Sequence, residues 1–366
     1  MSRIPVCIRL CAWALLLLPG RLAAQYDSEF QTEFLFERIP NTRAEALGRA
    51  DVADGSSPAS IFYNPAAIAQ VQRLQTDFST AAPLYLLGNA DFYYAGAAYR
   101  FHKLLSAGLS YRRLDIGESD FEIFINGNYY PINKPRSSNA ALTLASEPVK
   151  NLRIGVNVNF YDWKYLDGEK NARQIHLDAG AMYTLELPIG SGDPHALTFG
   201  ASVTNFLNSG IEFGVGSFRT VQKLPIVART GAAYRIRRTV AYPGMDAGPI
   251  ELVFMAEYQD VLNSPYKTAF RLGGETVLMD VLALRLGFFT SSEDDSGVST
   301  NRSRINDVTF GAGLIAPLDQ LTGGKIPCRA ALDVTVLKQP PFTFSGQRLP
   351  NFRSFGLRLD WTLPGA

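Results

Sequence analysis

The chain has 366 residues, with 35 Lys and Arg against 34 Asp and Glu, and three Cys. A formal charge of +1 excludes the electrostatic footprint of a nucleic-acid-binding protein. Two of the three Cys fall within the first eleven residues, which excludes a disulfide framework.

Residues 1–24 read as a secretory signal peptide. Arg3 and Arg9 supply the positive start, Leu10 to Leu18 ("LCAWALLLL") the apolar centre, and Pro19-Gly20 the break before a small-residue end at Ala24. The apolar run is too short to cross a bilayer as a helix. Cleavage after Ala24 removes three Arg with Cys7 and Cys11, and leaves a slightly acidic chain with Cys328 alone. On length the remainder would make two or three soluble domains. No Pro/Ser linker, low-complexity tract or fixed-period repeat divides it, so one large unit is expected.

From residue 71 onward the dominant period is two. In 174–187, Ile175, Leu177, Ala179, Ala181, Tyr183, Leu185 and Leu187 share one face, and His176, Asp178, Gly180, Met182, Thr184 and Glu186 the other. Segments 152–161, 251–259 and 282–288 repeat the pattern. Further strands are expected near 77–85, 92–101, 106–116, 138–147, 195–206, 225–236, 267–277, 307–316, 328–338 and 354–363. The expected total is fourteen strands.

Alternation suits a soluble sandwich or a membrane barrel, which differ in which face is inside. Three features favour the barrel. The strands are long enough to cross a bilayer at a tilt. Aromatics sit near strand ends (Tyr85, Phe101, Tyr111, Trp163, Phe289, Trp361), where an interfacial belt would lie. Tight connections at 102–105 and 148–151 alternate with long polar ones at 117–137, 207–224 and 292–306. In the last strand, Ser354, Gly356, Leu359 and Trp361 have the spacing of a terminal signal for outer-membrane assembly, although the chain continues to Ala366.

The segment 43–70, "RAEALGRADVADGSSPASIFYNPAAIAQ", resembles the N-terminal segment of the PorV/PorQ group within the FadL-like superfamily of outer-membrane barrels. The matching residues are Ala46-Leu47-Gly48, the acidic and small stretch Asp51 to Ser57, and Asn64-Pro65-Ala66-Ala67-Ile68. Arg49 and Ala67 stand where the group often has Gly. The strand sequences that follow look similar over most of the chain. The resemblance implies a 14-stranded barrel with an N-terminal plug. Residues 25–70 are therefore read as a hatch inside the lumen, with Leu47, Gly48, Asn64, Pro65 and Ala66 as its marker residues, and 71–366 as the barrel. Ala44 to Ala50 is expected to be a short helix, and Ser57-Pro58 and Asn64-Pro65 to be turns, because a residue before Pro avoids the helical region.

No catalytic or metal motif is present, and no cofactor or enzymatic activity is expected. His102, His176 and His195 lack metal-ligand spacing, and Cys328 has no nearby partner. Among lumen-parity charges, Asp178, Arg229, Glu257, Arg271, Glu275 and Arg285 carry mixed signs, which predicts ion pairs within the lumen and to the hatch. Resemblance to PorV/PorQ implies an accessory of type IX protein secretion or surface attachment, whose loops engage secreted cargo. The wider superfamily implies the alternative, uptake of a fatty-acid-like or other hydrophobic small molecule. Met182, Met255, Phe289 and Tyr161 are the apolar lumen-parity candidates for such a ligand. They are scattered in sequence, which tilts the expectation toward the secretion role. Partners are thus membrane lipid with either cargo or ligand, and no nucleic acid.

Overall fold

The computed structural model describes residues 41–55, 57–82, 90–102, 104–116, 122–125, 128–131, 136–164, 172–189, 194–215, 218–241, 247–263, 268–293, 303–337 and 351–361. The expected signal peptide, residues 25–40 of the expected hatch and Tyr85 lie outside these.

In chain order the strands are β1 (Leu74–Ala81), β2 (Ala90–His102), β3 (Leu105–Ile116), the hairpin β4 (Glu122–Ile125) and β5 (Asn128–Pro131), β6 (Arg136–Val149), β7 (Leu152–Lys164), β8 (Ala172–Leu187) and β9 (His195–Thr204). A second hairpin follows, β10 (Gly210–Val215) and β11 (Phe218–Lys223). The remainder are β12 (Val227–Val240), β13 (Gly248–Val261), β14 (Thr268–Leu278), β15 (Leu282–Glu293), β16 (Ser303–Pro317), β17 (Cys328–Leu337) and β18 (Phe352–Trp361). The two hairpins stand apart, and the other fourteen strands form one closed antiparallel barrel. Closure is made by β18 returning to β1, from Leu74 opposite Trp361 to Ala81 opposite Ser354. A closed sheet leaves no unpaired edge, which is what allows strands to stand in hydrocarbon.

The direction of the alternation identifies the solvent. On β7, outward Ile154, Val156 and Phe160 are each nearly half exposed, whereas inward Asn157 and Asn159 are fully buried. The same inversion holds for Leu282, Leu284 and Leu286 against Arg285 on β15. Apolar outside and polar inside is the arrangement of a barrel in lipid. The protein is a multi-pass β-barrel of the outer membrane.

Six connections, of two to ten residues, lie at one end of the barrel. They include 103–104 and 150–151, and the turn through Met279 and Asp280, both of which take positive φ. The short helix α2 (Leu318–Leu321) and the glycine turn at Gly323 and Gly324 also lie there. Both ends of the barrel sequence, Leu74 and Trp361, share this end. The three longest connections, 117–135, 205–226 and 338–351, share the other, and the first two carry the hairpins. Strand parity corrects part of the expected aromatic belt. Trp163 and Phe289 are 3% exposed and face the lumen, whereas Phe101 and Tyr111 face outward.

Residues 41–55 and 57–71 lie against the inside of the barrel and form three short helices. Helix α1 (Thr42–Ala46) starts at Asn41, whose side chain accepts from Ala44 N. It stops at Gly48 and Arg49, both left-handed with φ of 65° and 66°. The helix is thus shorter than the Ala44 to Ala50 span expected. The two X-Pro sites are helix starts rather than simple turns. Ser57 and Asn64 are extended N-caps, and Pro58 and Pro65 open the 3₁₀ helices η1 (Pro58–Phe62) and η2 (Pro65–Gln70). Proline at the first helical position loses no bond there, because that N–H is unpaired in any helix.

Candidate functional site

Residues 41–55 and 57–71 pack against the inner wall of the barrel, and glycines on the wall allow their close approach. A Cβ on Gly155 would lie 2.5 Å from the Pro65 carbonyl oxygen, and one on Gly180 would meet the Asn64 amide. Gly200 faces the Val52 backbone, Gly273 and Gly287 face Leu47 and Gly48, Gly311 faces Ala46, and Gly356 faces Thr42. Glycine on the polar parity therefore seats backbone against backbone, a spacing that no larger residue fits.

Polar ties complete the seat. Asn64 accepts from Ala66 N with its oxygen, and its amide donates to the carbonyls of Val52 (2.9 Å) and Ala181 (3.0 Å). Ser202 donates to Tyr63 O, and Asn157 to Ile61 O. The backbone N–H groups of Asp51 and Val52 both donate to the Glu257 carboxylate at 2.9 Å. On the opposite wall, Thr42 meets Ser354, Thr335 donates to Thr42 O, and Thr309 donates to Ala46 O while accepting from Gly48 N.

A buried ionic network links segment to wall. Arg43 binds Asp54 at 2.5 Å and forms a paired contact with Glu275. Glu275 also takes Arg285, which bridges on to Asp333. Arg235 reaches the second Asp54 oxygen at 2.6 Å. Arg271 holds Glu257 at 2.6 Å and Gln259 at 2.8 Å. Burial works against the Asp54 charge, but Arg43 and Arg235 outweigh it and hold that carboxyl below its usual range. Lumen ion pairs and ties to the N-terminal segment are as the charge pattern predicts.

Above this seat, toward the long connections, lies an apolar layer. Strand register sets Phe92, Leu114, Ser137, Trp163 and Ala172 in one row across β2, β3, β6, β7 and β8. The next row is Tyr94, Arg112, Asn139 and Tyr161. Phe62, Tyr63 and Ile68 of the segment join these aromatics, with Phe289 on β15, Leu337 on β17 and Phe352 on β18, in a single buried apolar cluster. Phe62 packs edge-on to Tyr94 at 6.2 Å, and Arg112 stacks on the Phe62 ring at 4.0 Å. Arg49 stacks on Phe289 at 4.5 Å. Cation–π stacking lets these guanidinium groups sit beneath an apolar layer.

The expected scatter of apolar lumen residues is corrected in part. Tyr161 and Phe289, 128 positions apart in sequence, belong to one cluster, because register places both near the long-connection end. Met182 packs on Ala66 and Ala67, and Met255 groups with Leu47 and Val52, both lower in the lumen. The five marker residues Leu47, Gly48, Asn64, Pro65 and Ala66 are all buried against the wall. The terminal-strand residues divide by face. Ser354 and Gly356 point into the lumen at Thr42, and Leu359 and Trp361 point outward. Asp51 and Asp54 fell within the matched acidic stretch without an assigned role, and Phe62, Tyr63 and Arg43 were not distinguished by sequence, since the N-terminal segment has no period to assign their partners. Among the described residues no group of three His, Cys, Asp or Glu could hold a metal ion.

No family model matches the chain, and no curated protein matches it. Among solved structures, the toluene transporter TodX of Pseudomonas putida aligns over 87% of this chain and 95% of its own, at 10% identity and TM-score 0.46. The toluene transporter TbuX of Ralstonia pickettii aligns over 87% and 96%, at 11% identity and TM-score 0.43. A FadL homologue of Pseudomonas aeruginosa aligns over 88% and 98%, at 10% identity and TM-score 0.45. Likeness at this level transfers no activity.

Proposed function

We propose that the protein is an outer-membrane channel for hydrophobic small molecules, with segment 41–70 as a hatch that closes the lumen. The observation that carries this reading is the apolar cluster. It gathers Phe92, Tyr94, Tyr161, Trp163 and Phe289 from the wall around Phe62 of the segment, at the end facing the long connections. A ligand site for an apolar molecule needs clustered apolar and aromatic side chains with few polar groups among them. A molecule entering from the long-connection end meets this layer first and the seated hatch below it. The secretion-accessory role is the weaker reading. It rests on the resemblance of residues 43–70 and of the strand sequences that follow, and the scatter of lumen apolar residues that favoured it is reduced, since Tyr161 and Phe289 share one cluster while Met182 and Met255 lie apart from it.

The test is binding of a fluorescent apolar probe, 1-aminoanthracene, to the purified barrel, with native mass spectrometry of the protein extracted gently from its membrane. The double variant Phe62→Ala/Phe289→Ala is expected to weaken probe binding about tenfold or more, and Leu286→Ala on the lipid face to leave it unchanged. Unaltered probe affinity in the double variant, or a polypeptide retained in place of a small hydrophobe, overturns the uptake reading.

A further inference from the structure

Asp51 lies at the centre of the N-terminal segment and is 1% exposed. One carboxyl oxygen, Oδ2, is shared by Ser60 Oγ at 2.5 Å and Asn41 Nδ2 at 3.1 Å. These contacts tie together the N-cap of α1, the turn 51–55 and η1. The other oxygen, Oδ1, has no hydrogen-bond partner. The nearest cation is Arg43, at 4.0 Å, and its hydrogen bonds go to Asp54 and Glu275 instead.

The arginines around Asp51 make their hydrogen bonds to other groups. From its own turn it faces Asp54, which is engaged by Arg43 and Arg235. From α1 it faces Arg43, which also serves Glu275 on β14, and Arg285 completes the bonding of Glu275. From β13 it faces Glu257, which accepts the Asp51 backbone N–H and is neutralised by Arg271, with Arg229 at 3.9 Å. From η1 it meets only the neutral Ser60. A buried carboxylate with one oxygen unpaired is strongly disfavoured, whereas a neutral carboxyl leaves only a carbonyl oxygen unpaired.

We infer that Asp51 is a proton-held latch: the segment is closed around the neutral acid, and loss of that proton releases the tie between turn 51–55 and η1. Since η1 carries Phe62 into the apolar layer, the latch couples external pH to the floor of that layer. This consequence for gating rests on the hatch reading above. Burial, with the Asp54 charge next, pushes the Asp51 carboxyl well above its usual range, which supports the assignment. A carboxyl raised in the closed form makes closure fully stable at low pH. That stability is lost by a factor of about ten per pH unit from the open-form value, about 4, up to the raised closed-form value, where the loss is complete.

The experiment is hydrogen exchange of peptides covering 51–63 in the full-length barrel in detergent. Protection factors are corrected for intrinsic exchange and measured between about pH 5 and 9, with single-channel conductance recorded in parallel. The wild type is expected to lose protection about tenfold per unit up to a step at the closed-form value, to level off above it, and to gain conductance over the same range. Asp51→Asn cannot ionise and is expected to show neither change. Asp54→Asn removes the neighbouring negative charge and frees Arg43, so its step is expected to move to lower pH by about one unit or more. Heat-modifiable migration in gels establishes that each variant retains its barrel. Should Asp51→Asn not fold, the direction of the Asp54→Asn step decides. Absence of a step in the wild type, the same step in Asp51→Asn, or an unmoved step in Asp54→Asn overturns the latch. A protection step without a conductance change sinks the hatch reading and leaves the latch standing.

Discussion

Gly48→Ala would place a methyl group where three backbone atoms converge. The Cβ would lie 2.5 Å from Phe288 O and 2.7 Å from both Leu272 O and Phe288 N, all on the rigid ladder of β14 and β15. Nothing there can rotate aside, so the segment must lift. Gly48 also holds φ of 65°, where a side chain costs about 1–2 kcal/mol. Overpacking of this kind adds about 1–3 kcal/mol. Together they predict a loss of about 2–5 kcal/mol in docking of residues 43–50. Lifting also breaks the bond from Gly48 N to Thr309 at 3.0 Å. The assay is hydrogen-exchange protection of amides 43–50 in the folded barrel, where this loss appears as a fall of about thirtyfold or more. Gly274→Ala is the control. Gly274 faces outward on the same strand, and its Cβ would have a single neighbour, at 4.0 Å. It is expected within about 0.5 kcal/mol of wild type. Gly48→Ala with unchanged protection would refute the idea that close backbone contact at Gly48 seats the segment on the wall.

Two further outcomes follow from the ionic network and the outer face. Arg43→Met leaves Asp54 and Glu275 without their shared cation. It is expected to destabilise segment docking by about 3–5 kcal/mol, read by protease cleavage within 43–70 of the intact barrel. Leu286 faces lipid near the middle of β15, so Leu286→Arg is expected to cost about 2–4 kcal/mol in unfolding from lipid vesicles, whereas Leu286→Gln costs less.

Much of the barrel was legible in the sequence because a strand's side-chain period is set locally. Alternation in 152–161 or 174–187 assigns each residue to a face, and all fourteen barrel strands fall where that period runs. Connection lengths, also local, sorted the two ends. Alternation alone left open which face meets lipid, and the full burial of Asn157 and Asn159 decides it. Sequence could not assign partners inside the lumen. Arg43 and Glu275 are 232 positions apart, and only closure of the barrel with the segment folded inside brings them together. The same holds for Tyr161 and Phe289, which look scattered along the chain and meet in one cluster because register sets both near the same end. For Trp163, a strand-end position suggested the lipid interface, and parity turned the ring inward. Local sequence determined the barrel's strands, their faces and the Pro-marked helix starts, since these depend on backbone geometry over a few residues. The seat, the apolar layer and the Asp51 environment were decided by tertiary structure, because each is built from strands and segment residues that only ring closure makes neighbours.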